Sequence, residues 1–247
     1  MAMRKKSNLV FVVLIMIFTY SSLIISQDNY ELVKLYYNGE KVKIFYPQIQ
    51  NLGDEKRQKI INDLIKKDVP GDKSRYEYYE KPNSDSFYEL DYQVKWKGPN
   101  LLSIRYLGIR YEKNTPHPTH LSYTTNIDLK HGKRLSLKDI VDINKDFVGK
   151  IKKGKYTQWD SGLKLPEDIL QSVLDNYSDE KMIKYLNQSD IYDTYCYFTQ
   201  DSLGVSFEVS HAIGDHVEFE VKYRDIINYI DKTNNIWNDF PGIFKGK

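Results

Sequence analysis

The chain has 247 residues, 40% of them hydrophobic, with 36 Lys and Arg against 34 Asp and Glu and a single cysteine. That length and apolar content suffice for one large domain or two small ones and exclude a disordered or fibrous protein. The near balance of charge gives a nucleic-acid role no electrostatic support, and one cysteine leaves no internal disulfide to staple the fold.

Arg4, Lys5 and Lys6 precede an uncharged apolar run from Leu9 to Ile25, and the first acid is Asp28. This is the pattern of an export signal, with Ser26 as the small residue before a cut at Gln27 and an uncleaved membrane anchor as the alternative. Those three cations are the only charges in residues 1–26, so without that segment the net charge moves from +2 to −1. Residues 27–247 are therefore expected outside the cytoplasmic membrane, secreted or anchored on its outer face. Membrane contact is expected only through residues 1–26.

Glu31–Tyr37 and Lys41–Tyr46 alternate around Asn38-Gly39, which predicts a hairpin with a type I′ turn. Asp54 caps a helix whose apolar positions Ile60, Ile61, Leu64 and Ile65 recur at helical spacing up to Pro70. Gly71–Ser86 is polar and reads as a long loop carrying Tyr76, Tyr78 and Tyr79. Phe87–Trp96, Leu101–Tyr111 and His120–Leu129 follow as a three-strand meander.

Beyond the turn at Lys130–Lys133, Leu135–Ile140 enters a short helical segment with Ser136 as its cap. Lys152, Lys153 and Lys155 form a small basic cluster that reads as a solvated loop. Pro166 suits the first turn of a helix with Ile169, Leu170, Val173 and Leu174 on its buried face, and a second helix spans Ser178–Leu186. Tyr195–Phe198, Val205–Val209 and Val217–Val221 are closing strands, Tyr223–Ile230 looks helical, and Trp237, Phe240 and Phe244 form an aromatic tail. Cys196, in an alternating strand, is expected to point inward as a small apolar residue. The expected fold class is α+β, two consecutive small domains at 27–132 and 133–247, with mostly antiparallel sheets and helices packed on one face.

Candidate chemistry is sparse. His117 and His120 make a His-x-x-His pair, but a Pro-bracketed loop suits two metal ligands less well than a helix does and no third ligand is evident. His211, Asp215 and His216 lie in a loop read as a solvent-facing hairpin connection with a turn at Gly214. Glu89 and Asp91, and likewise Glu218 and Glu220, alternate along strands; across a cleft such pairs act as acid and base, but here they read as the solvated side of half-buried strands. No nucleophile elbow or phosphate-binding glycine loop is present. No catalytic set, metal or cofactor is expected. The candidate ligand-binding residues are the aromatics Tyr76, Tyr78, Tyr79, Tyr156 and Trp159, whose rings bury area at low entropy cost, together with His117 and His211.

Three segments carry a resemblance. They are the strand ending in Tyr46-Pro47, the stretch from Leu102-Ser103-Ile104 through Asn126–Lys133 and Leu135–Ile140, and the closing Phe198–Gly204 leading to Tyr223. In this order they resemble the extracellular portion of the anti-sigma V factor, which also stands in front of the catalytic domain of a peptidoglycan deacetylase. The resemblance covers most of Val42–Ile230 and implies two small α+β domains and, in the anti-sigma relatives, binding of lysozyme at the cell surface. Only Met1–Asn8 precede the apolar run and no stretch is left for a metal-dependent deacetylase, so neither whole-protein activity is expected. The expectation is an exported, non-catalytic recognition module of the bacterial cell envelope that binds a lysozyme-like protein or a cell-wall glycan. The alternative is an envelope hydrolase acting on cell-wall glycan or its substituents.

Overall fold

The computed structural model describes residues 30–69, 79–81, 85–157, 165–188 and 195–244. The expected export segment, residues 1–26, lies outside them, and among the described residues no helix is long and apolar enough to cross a membrane. The fold is α+β, built on two sheets.

The first sheet holds six strands in sequential order: β1 (Glu31–Asn38), β2 (Val42–Gln50), β3 (Phe87–Lys97), β4 (Leu101–Tyr111), β5 (Thr119–Asp128) and β6 (Lys133–Arg134). All neighbours are antiparallel except β2 and β3, which run parallel over Val42–Ile44 against Tyr88–Leu90. A parallel pair needs a crossover, and helix α1 (Glu55–Asp68) lies in that connection. Its cap is the predicted Asp54, whose carboxylate accepts the Arg57 amide at 2.9 Å. Ile61 and Ile65 of α1 are fully buried against Val42, Ile44, Leu102, Ile104 and Tyr106 of the sheet.

The β1–β2 connection is not the predicted type I′ turn. Neither Asn38 nor Gly39 has a positive φ, and the loop instead wraps around the Glu80 carboxylate, which accepts the amides of Glu40, Lys41 and Val42. A Cβ on Gly39 would collide with Glu80 Oε1, so the residue is small there for close approach rather than for its φ range.

The second sheet has four strands in the order β7-β10-β9-β8: β7 (Lys155–Thr157), β8 (Tyr195–Phe198), β9 (Ser202–Glu208) and β10 (His216–Lys222). It carries α2 (Lys145–Lys152), α3 (Glu167–Asp175), α4 (Asp179–Asn187) and α5 (Tyr223–Ile226). The sequence reading missed α2, whose N-cap Asn144 accepts the Phe147 amide at 3.0 Å, and with it β7 and β6. The expected helix Tyr223–Ile230 stops at Ile226, because Asp142 N donates to Tyr229 O and Val141 forms a bridge with Ile230. The aromatic tail divides: Trp237 and Phe240 are buried beside Phe198 and Tyr223, while Phe244 is exposed.

Adjacent residues of one strand serve the two cores. Leu102, Ile104 and Tyr106 of β4 face α1, whereas Leu101 belongs to the core of the second sheet. Period-2 alternation in a strand with both faces covered makes β4 the partition between the two halves.

Candidate functional site

Where the two sheets meet, the first presents a polar face. Ser103 and Arg105 alternate with the α1-facing residues of β4, and Ser122, Thr124 and Asn126 do the same on β5; all five are buried. Across the seam stand Tyr197 of β8, Ser206 of β9 and Glu218 of β10. Arg105 Nη1 is ion-paired with Glu218 Oε2, and its Nη2 donates to Gln93 Oε1 at 2.7 Å. The Tyr197 hydroxyl reaches Glu218 Oε2 at 3.2 Å and Glu220 Oε1 at 3.0 Å. Lys95, at a bulge in β3, sits over the Tyr197 ring at 4.5 Å. Burial pushes the Glu218 carboxyl up, against the opposing pull of the Arg105 guanidinium. Burial also lowers the Lys95 ammonium, with the Arg105 charge adding to it.

Two backbone groups of the short strand β8 are held by side chains of the other sheet. Phe198 N donates to Ser103 Oγ at 2.9 Å, and Asn126 Nδ2 donates to Cys196 O at 2.8 Å. The seam is thus stitched by side-chain to backbone bonds as well as by charge. Cys196 is buried, as expected.

At the rim of the seam the β4–β5 loop meets the β9–β10 loop. Asp215 has φ 68°, following Gly214 at φ 105°, and this left-handed pair turns the Asp215 carboxylate back across the seam. Asp215 Oδ2 accepts the His120 amide at 2.7 Å and lies 3.0 Å from His120 Nδ1, while Oδ1 lies 3.0 Å from His211 Nδ1. The His117 ring stacks on His211 with centroids 4.9 Å apart. Burial pushes the Asp215 carboxyl up, but the bonds from the His120 amide and the two rings outweigh it and hold the group below the usual range. The next residue, His216, is buried, and desolvation followed by the Arg105 charge lowers it to about 4. Asp215 holds His120 and His211 each by its Nδ1, which leaves both Nε2 atoms off the carboxylate, an orientation suited to proton transfer. Among the described residues, no three His, Cys, Asp or Glu side chains are arranged to hold a metal ion.

The expected binding residues fare unequally. His117 and His211, 94 positions apart in the chain, are brought into contact. Tyr76, Tyr78 and Trp159 lie outside the described residues. Tyr79 is not a loop aromatic offered to a ligand: it is buried against Tyr88, its hydroxyl is 3.4 Å from Glu112 Oε1, and burial pushes it up to about 12. Tyr156 is half-buried, edge-on to Phe219. The β9–β10 loop is solvent-facing at His211 but not at His216. Glu218, read as solvated, is completely buried, because the face it shares with Glu220 looks onto the other sheet rather than onto water. Arg105 and Tyr197 were missed; a lone Arg between apolar alternations at Ile104 and Tyr106 was the available signal.

No family model and no curated protein matches the chain. Among solved structures, a DUF3298 family member from Bacteroides fragilis is similar at 14% identity with a TM-score of 0.56, over 85% of this chain and 96% of that one. A DUF3298 family protein from Pseudomonas aeruginosa is similar at 16% identity with a TM-score of 0.48, over 88% of this chain and all of that one. The first likeness shows that this chain shares the fold of a DUF3298 family member.

Proposed function

We propose that this chain is an exported, non-catalytic recognition module of the bacterial cell envelope that binds a protein partner, with a lysozyme-like protein as first candidate and a cell-wall glycan as second. The observation that carries this reading is the outer end of the first sheet. Leu35, Tyr36 and Tyr37 of β1 are 42%, 66% and 40% exposed, three of the six large exposed hydrophobic residues among the described residues. The Tyr36 ring packs on Phe45, over which Lys34 places its ammonium at 4.0 Å. Lys34 and Tyr36 on one face of this edge strand and Leu35 and Tyr37 on the other leave it exposed on both sides, which suits protein recognition by added strand or by aromatic anchors. The resemblance to the extracellular portion of the anti-sigma V factor supplies the candidate ligand. The best-placed acid, Glu218, is spent on Arg105, Tyr197 and the seam.

Calorimetric titration with lysozyme and sedimentation with purified peptidoglycan test the reading. Saturable binding of either, weakened at least tenfold in Tyr36→Ala by loss of a central aromatic anchor, is expected. Failure of both ligands to bind overturns it.

The Asp215 carboxylate between His120 and His211 favours one second reading, an envelope hydrolase that uses an oriented imidazole as general base. Turnover of a glycan or ester substrate that falls at least a hundredfold in His120→Ala and Asp215→Ala supports it; a substrate panel without turnover dismisses it.

A further inference from the structure

The two sheets have four outer edges, and three of them are blunted. β6 is two residues long, and both are exposed cations, Lys133 and Arg134. β7 is three residues long. β8 has four residues, and its Phe198 amide and Cys196 carbonyl are taken by Ser103 and Asn126 of the other sheet. Short strands, edge charge and covered backbone groups are the usual means of keeping an edge from pairing.

The fourth edge is β1, and it has none of these. It pairs with β2 over eight residues in unbroken register, contains neither proline nor glycine, and among the described residues no strand lies beyond it. Its cation does not guard the edge: the Lys34 ammonium lies 2.9 Å from Asp91 Oδ1 and 4.0 Å from the centre of the Phe45 ring, both groups of its own sheet. β1 is therefore a long edge with Leu35, Tyr36 and Tyr37 exposed along it, the kind that takes up another strand.

We infer that β1 pairs antiparallel with β1 of a second copy of this chain about a two-fold axis at Leu35, joining the first sheets of the two copies into one. The strand is complementary to itself in this register. A two-fold axis normal to the sheet keeps each face on its own side. Centred on Leu35, it overlaps residues 32–38 and sets Leu35 against Leu35 and Val33 against Tyr37 on one face, an unbroken apolar row. On the other face it sets the Lys34 ammonium of each copy against the Tyr36 ring of the other. Moving the axis to Lys34 opposes two ammonium groups, and moving it to Val33 or Tyr36 shortens the overlap to 31–35 or 34–38. The edge is the one named in the reading above, where a bound protein and a second copy compete, but self-pairing needs neither lysozyme nor glycan.

The test is oxidative cross-linking of cysteine variants of the full chain, with self-association read by sedimentation equilibrium in density-matched detergent. Leu35→Cys should form a disulfide-linked dimer, because residues directly opposite in an antiparallel pair lie within disulfide reach. Val33→Cys and Tyr37→Cys alone, each four residues from its own counterpart, should not, whereas a mixture of the two should. The parent, whose Cys196 is buried, should stay uncross-linked. Leu35→Lys and Leu35→Glu should each weaken self-association at least about tenfold through like charges directly opposed, and their equimolar mixture should restore it. Residue 35 is exposed and residues 1–26 are the same in every variant, so neither misfolding nor the apolar run accounts for a charge-dependent rescue. A chain that stays monomeric up to about 100 μM, cross-linking of Val33→Cys or Tyr37→Cys alone as strong as that of Leu35→Cys, or a charge pair without rescue overturns the inference. A dimer with this pattern that binds neither lysozyme nor peptidoglycan upholds it and overturns the reading above, and a monomer that binds either ligand does the reverse.

Discussion

Two pairs of carboxylates alternate along strands in this molecule, and their fates are opposite. Glu89 and Asp91 of β3 face water, paired with the half-exposed Lys43 at 3.0 Å and Lys34 at 2.9 Å. Glu218 of β10 carries the same sequence signature and is wholly buried against Arg105, with Glu220 beside it. The difference is set by what covers the face: none of the described residues covers β3 at the exposed Glu89, and a second sheet covers β10 at Glu218. An exposed pair is worth little, since water solvates both charges in either state. A buried pair costs about as much to desolvate as it returns, yet cutting it open strands a charge.

The largest effect should come from stranding that charge. Arg105→Met leaves Glu218 buried without its cation and should lower stability by about 3–5 kcal/mol, read from urea unfolding. Adding Glu218→Leu should return much of the loss. If Arg105→Met is as stable as the parent, the seam is not held by this pair.

Next comes acid. His216 is buried and neutral, with its value lowered from 6.5 to about 4. As pH falls the unfolded state takes up a proton first, so stability is complete above about 6.5 and is lost between there and 4, by up to about 3 kcal/mol. Urea midpoints at pH 7 and 4.5 should therefore converge more in His216→Leu than in the parent. An equal pH dependence in both proteins would assign the acid sensitivity to other groups.

Asp239 offers an intermediate effect. Its carboxylate accepts from Trp96 Nε1, from both nitrogens of Asn100 and from Leu101 N, so the C-terminal tail clamps the β3–β4 turn of the other sheet. Asp239→Ala should lower stability by about 2 kcal/mol and raise amide exchange at Asn100 and Leu101. Unchanged exchange there would remove the clamp from the account. Smallest of all, Lys34→Ala on the exposed face should change stability by less than about 1 kcal/mol, and less still at high salt. A larger change in the same urea unfolding would show that the exposed pair is not solvated in the way its surroundings imply.

Much of the fold was legible because it follows local chemistry. The cap at Asp54 and the helical spacing of Ile61 and Ile65 gave α1, and the alternation in β3 to β5 gave the meander; Ser136 stands at the N-cap position, where the Asp139 carboxylate accepts its amide and its hydroxyl, but its own side chain accepts no amide of the turn. The parallel pairing of β2 with β3 was not legible, since it depends on where the chain returns after α1. The site was less legible than the fold. Tyr79 and Glu218 were assigned to the surface from polar surroundings in sequence, but both are covered by elements far along the chain. His117 and His211 were singled out separately, and only the closure of the seam stacks their rings, with Asp215 bonded to His211 and not to His117. Alternation of polar and apolar residues tells that a strand has two faces; it does not tell whether the polar face meets water or another polar face.

The most direct measurement is a pair of double-mutant cycles in urea, one on Arg105 and Glu218 and one on Lys34 and Asp91. Coupling above about 2 kcal/mol for the seam and below about 0.5 kcal/mol for the exposed pair is predicted. Equal coupling energies in the two cycles would contradict the claim that a buried polar seam, rather than charge pairing in general, holds the two sheets together.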